Sequence, residues 1–180
     1  IHDQSSPMSE KLFQIADLKA DALACLNEIQ EAKRAGAAAR NSLISAKNKL
    51  ESAGNWGTWD MFGGGMISTA IKHSRIDEAQ GFIHDAQRKL RKLQKELSDL
   101  EMNLHVQFET GGMLKFADFF FDGLIVDWMV QGKIRDSLGQ VNNQIHKVGK
   151  INAELENQEK RMREKINTLE KDYEDAVLRA

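Results

Sequence analysis

The chain has 180 residues, of which 41% are hydrophobic and 29% charged, with one proline and one cysteine. That much charge beside so little proline suits long amphipathic helices that bury one stripe and solvate the rest. The formal net charge of -2 presents no global basic field to nucleic acid or anionic membrane, and the lone Cys25 excludes an intrachain disulfide and a cysteine-based metal cluster.

Ser6 followed by Pro7 reads as a helix N-cap with proline at the first helical position. Beyond it, Ile15, Leu18, Ala22, Cys25, Ile29, Ala32, Gly36, Ala39, Leu43, Ala46 and Leu50 alternate steps of three and four. That spacing is a heptad seam and predicts a first helix over 8–52. Many of its seam residues are small, which lets a neighbouring helix come close. A connection over 53–65 follows. The second seam, Ile76, Ala79, Ile83, Ala86, Leu90, Leu93, Leu97, Leu100 and Leu104, is built from larger residues and predicts a helix over 66–107. Large side chains facing small ones would fill space well. After a connection over 108–122, the third seam runs Ile134, Leu138, Val141, Ile145 and Val148. It continues less regularly through Leu155, Met162, Ile166, Leu169 and Tyr173, and predicts a helix over 123–178.

Three helices with two short connections predict an all-α fold. The expected form is an elongated, antiparallel three-helix coiled-coil bundle in up-down-up order, forming a single domain over 1–180. The third helix is the longest, so its C-terminal part is expected to overhang or to pair with another chain.

The connections are not ordinary polar loops. Shifting the chain by 58 positions sets Gly54 on Gly112, Asp60 on Asp118, Phe62 on Phe120, Gly65 on Gly123, Ile67 on Ile125, Ile76 on Ile134 and Gly81 on Gly139. A freely chosen shift aligns helical sequences by chance, but heptad periodicity does not generate matched glycines, aspartates and aromatics, so an internal duplication stands beside chance as a reading of these matches. Gly81 and Gly139 would then mark a bend or a close contact. Trp56, Trp59 and Phe62 crowd one connection. Phe116, Phe119, Phe120, Phe121 and Trp128 crowd the other. Solvated loops rarely carry such aromatic surface, so these residues are expected to bury as plugs or to contact a partner.

Other constellations have bland readings that outweigh the chemical ones. His73 and Asp77 are four apart, and His84 falls seven later. These three are weak metal candidates, but the helical two-histidine zinc signature is absent, and a hydrated helix face is the stronger reading. Gly63-Gly64-Gly65 precedes a helix but lacks the Walker lysine, so it reads as conformational. The basic run Arg88–Lys95 has leucines on the seam and no interleaved aromatics. It reads as a solvated face paired with acids on helix three, not as a nucleic-acid site. Neither a cofactor nor a metal is expected.

These features favour a non-enzymatic coiled-coil scaffold or protein-interaction module. It would act through its helix faces and aromatic ends on a protein partner or a second copy, with the cytoplasm as the default setting. The alternative is a membrane-associating protein that uses the amphipathic stretch 113–130. There Lys115, Asp118 and Asp122 share one helix face, although its mainly acidic charge opposes anionic lipid.

Overall fold

The computed structural model describes the backbone of residues 7–57, 67–104 and 134–178, with side chains described over 8–52, 81–100 and 138–178. Among these residues the protein is all-helical, with no strand. Helix α1 spans Pro7–Gly57, α2 spans Ile67–Leu104 and α3 spans Ile134–Leu178. Helix α1 continues five residues past the end expected from its seam. Gly54 and Gly57 each cost about 1 kcal/mol against alanine in a helix, but no proline follows to force a stop.

Both other helices pack on α1. Against α2, Gly36 lies beside Leu93, the Ser42 hydroxyl donates to Asp85, and the Lys49 ammonium sits 5.3 Å from the centre of the Phe82 ring. Against α3, Lys19 pairs with Glu170, Lys33 with Glu159, Gly36 with Asn152 and Arg40 with Gly149. In both sets the partner's number falls as that on α1 rises. Helices α2 and α3 therefore each run against α1, and in the same direction as one another. This corrects the up-down-up order, in which α3 would run with α1. A heptad seam presents the same apolar stripe whichever way its helix points, so periodicity alone does not set direction.

Most of the predicted seam is core. From Ile29 to Leu50 on α1, Ile83 to Leu100 on α2 and Val141 to Leu155 on α3, the buried apolar residues form one continuous cluster. Leu26 and Ala35 on α1 and Ile151 on α3 are buried beside their seams rather than on them. A helix facing two partners needs a wider apolar arc than a two-stranded coil, and these positions supply it.

At Gly36 all three helices meet. A methyl group added there would collide with the Asn152 amide oxygen, lie 3.1 Å from its carbon and lie 3.5 Å from a Leu93 methyl. The absence of a side chain at Gly36 is thus a packing requirement. Gly81 and Gly139 differ: a methyl added to either meets nothing within 4 Å. The expectation that they mark close contacts does not hold, and both lie inside continuous helices. Most of the segment carrying the duplication, like its copy, lies outside the residues whose side chains are described.

Two predictions follow from this packing. Leu93→Ala or Leu97→Ala, each at a fully buried site, should cost about 2–5 kcal/mol in urea unfolding. Gly36→Ala should destabilise despite its better helix propensity, because overpacking costs about 1–3 kcal/mol. Adding Asn152→Ala should restore that loss. A double-mutant cycle showing simple additivity would mean the two positions do not meet.

Candidate functional site

The helices differ in reach. The pairings of Ser42 with Asp85 and of Gly36 with Leu93 place Leu104, the last described residue of α2, about level with Leu23 to Cys25 of α1. Helices α1 and α3 continue together beyond that level. Lys19 still pairs with Glu170 at 2.9 Å, and a second apolar cluster of Ala22, Leu26 and Ile166, flanked by Met162 and Leu169, holds them. The result is a two-helix arm about 25 Å long at 1.5 Å per residue.

Seam positions behave differently on the arm. Within the three-helix region Leu43, Leu93 and Leu155 are fully buried. On the arm Leu18 is 48% exposed and Tyr173 42% exposed, although both stand at seam positions. Phe13, Leu23, Val177 and Leu178 are exposed too, so every large exposed hydrophobic side chain among the described residues lies on the arm or at its base. Scattered apolar side chains are normal on a surface; their confinement to one end is not. Two paired helices bury only the strip between them, and among the described residues no third helix stands at this level.

Electrostatics ties the base of the arm together. The Lys33 ammonium donates to Glu159 at 2.6 Å, and Arg163 donates to the same carboxylate through Nε at 3.0 Å and Nη2 at 2.7 Å. These bonds, Lys33 first, hold the Glu159 carboxyl at a pKa of about 2, well below its ordinary 4.5. Near the level of Leu104, burial and Glu28 push the Cys25 thiol up, with Lys165 opposing. Cys25 is thereby kept a neutral thiol, the opposite of what a nucleophilic cysteine requires.

The residues singled out from sequence fall elsewhere. Trp59, Phe62, Phe116, Phe119, Phe120, Phe121 and Trp128 lie outside the described residues, as does the 113–130 stretch. Trp56 lies in the last turn of α1, with its side chain outside the described set. His73 and Asp77 lie in α2, again without described side chains, while His84 is exposed. Among the described residues no three His, Cys, Asp or Glu side chains gather as metal ligands. No helix among them is long and apolar enough to cross a membrane. In the basic run, Arg88 pairs with Asp85 on its own helix at 2.9 Å. The arm was missed because Leu18 and Tyr173 read as core. The one sequence signal for it was the greater length of the third helix.

The lowered pKa of Glu159 fixes a pH dependence. A carboxyl whose pKa is depressed by folding stabilises above its unfolded value and loses that contribution as pH falls through the folded one. Stability should therefore decline between 4.5 and about 2, and Glu159→Gln should flatten that part of the denaturation profile. On the arm, Leu18→Gln should cost under about 1 kcal/mol, as surface substitutions do, where Leu43→Ala should cost about 2–5. No family model, curated protein or solved structure matches the chain.

Proposed function

We propose that the protein is a non-enzymatic helical scaffold, elongated in shape, that binds another protein through a helix face. The observation that carries this reading is the arm: seam residues Leu18 and Tyr173 keep the spacing of core positions but are half exposed beyond the level of Leu104, the last described residue of α2. Exposed apolar surface costs about 25 cal/mol per Å² relative to burial, so a helix covering this strip gains what the three-helix region already gains from α2. Helix-in-groove binding of this kind uses apolar side chains left exposed on a helical surface, and Leu18 and Tyr173 are such side chains. The aromatic residues Trp59 and Phe120 are further candidate contacts, as the composition of their segments suggests.

Site-directed photocrosslinking tests the reading. A photoreactive residue placed at Leu18 or at Tyr173 of the full chain should form an adduct with one discrete protein. The exposed Lys150, in the three-helix region, should not. The complex should then reassemble from the two purified components. Equal crosslinking at all three positions, or no reassembly, would remove the basis for an interaction surface on the arm.

A further inference from the structure

The net charge of -2 conceals a division of charge along the bundle. Over 32–50 of α1, 86–95 of α2 and 137–153 of α3, every charged residue is lysine or arginine. The approaches of Ser42 to Asp85, Gly36 to Leu93 and Arg40 to Gly149 set these three spans at one level. Acids gather beside them, towards the N-terminus of α1. All five acids of α1 between 8 and 50 precede Ala32, and every acid of α3 except Asp136 follows Ala153. Glu96, Asp99 and Glu101 of α2 belong to the same section, in which acids outnumber bases. A basic section of the bundle thus adjoins an acidic one.

Helix α1 also has an outward face unlike a solvated one. Its seam is core, and the flanks beside the seam meet α2 through Ser42 and Lys49 and α3 through Lys19 and Lys33. The remaining face runs through Phe13, Ala16, Ala20, Leu23, Ala37 and Ile44, with asparagine and glutamine between them and Arg34 as its one charge. Ile44 is half-buried and the other five are exposed. A surface helix ordinarily turns charge outward. This face points away from both α2 and α3, so its exposure does not depend on where α2 ends. Along its α2 edge, Asp21 lies at multiples of seven from Ser42, and Glu10 and Asp17 at multiples of seven from the neighbouring Ser45. In the basic section, Lys49 follows Ser42 by seven and Lys89 follows Asp85 by four, which sets both on that same edge.

We infer that the outward face of α1 is the interface between two copies of this chain lying side by side and antiparallel. The inference rests on the interaction reading above and names a second copy as partner, on a surface separate from Leu18 and Tyr173. A two-fold contact sets each edge of the face against the same edge of the other copy, with direction reversed. Glu10, Asp17 and Asp21 of each copy then meet Lys49 and Lys89 of the other. A parallel pair would set acid on acid and base on base. An acidic partner protein would match the basic section alone and meet like charge over the rest, whereas a second copy matches both. With the two-fold midway between Asn27 and Gln30, Ala20 faces Ala37 of the second copy, and Phe13 faces its Ile44. Alanine at the contact lets the two helices approach to the short end of the usual range of about 8–10 Å.

Sedimentation equilibrium of the full chain at roughly 0.05 M salt, where screening is weak, should show a dimer that weakens as salt rises. Lys89→Glu with Lys92→Glu should weaken self-association at least about tenfold, and so should Asp17→Lys with Asp21→Lys. An equal mixture of the two variants should dimerise as tightly as the unaltered chain, because each reversed section then meets its opposite. That recovery also shows that both variants fold. Disulfide formation in a Cys25→Ser background reads the direction. Ala20→Cys mixed with Ala37→Cys should crosslink, whereas Ala20→Cys alone should not, since the two cysteines would lie about 25 Å apart at 1.5 Å per residue. A monomer throughout, a mixture no tighter than its components, or Ala20→Cys pairing with itself as readily as with Ala37→Cys would overturn the inference. A monomer whose Leu18 crosslinks a different protein that reassembles with it would reject the second copy and leave the interaction reading standing. A charge-dependent antiparallel dimer without any adduct at Leu18 would establish this interface and remove the arm.

Discussion

One helix serves two partners along a single seam, and the rest of the structure depends on that arrangement. Helix α1 carries Ala32, Gly36, Ala39 and Ala46 where an ordinary coiled coil would carry leucine. The larger Leu90, Leu93 and Leu97 of α2 and Val148 and Leu155 of α3 close on those small positions. At Gly36 both partners arrive at once, with Asn152 on one side and Leu93 on the other. A larger residue there would push at least one helix away, and packed interiors transmit such displacements along the interface.

The polar groups inside the bundle complement this close approach. The Asn152 amide oxygen is buried without a hydrogen-bond donor, as is the Gln144 oxygen on the same helix. A buried unpaired acceptor costs about 1–3 kcal/mol, so neither is a device for stability. A polar residue on a coiled-coil seam penalises registers that would set it against bulky apolar side chains. Asn152 is accommodated because its oxygen faces a residue with no side chain. The basic flank of α1 works in the same direction, since Lys19 and Lys33 find carboxylates only when α3 runs against α1. Direction and register are thus set by a few polar contacts laid on a seam that would tolerate others.

The arm is the part of α1 and α3 that lies beyond the level of Leu104, the last described residue of α2. Two helices joined by a narrow apolar strip bury Ala22, Leu26 and Ile166 but cannot enclose Leu18 or Tyr173. Glu10, Asp17 and Asp21 on the same stretch of α1 are exposed, so the arm carries charge beside its exposed apolar side chains.

Sequence by itself determined the helical class, the seams and the small-against-large packing, because burial on a helix leaves a period of three and four residues. It also showed the small residue at Gly36, though not which side chain would close on it. Only the tertiary structure decided the direction of α3, the extra core positions Leu26, Ala35 and Ile151, and the ranking of glycines that puts Gly36 above Gly81 and Gly139. The exposure of Leu18 and Tyr173 was hidden for the same reason. A heptad pattern records that a residue is suited to burial, but how many helices reach its level depends on where each helix ends and which way it runs. Those are relations between distant segments, and no local period encodes them.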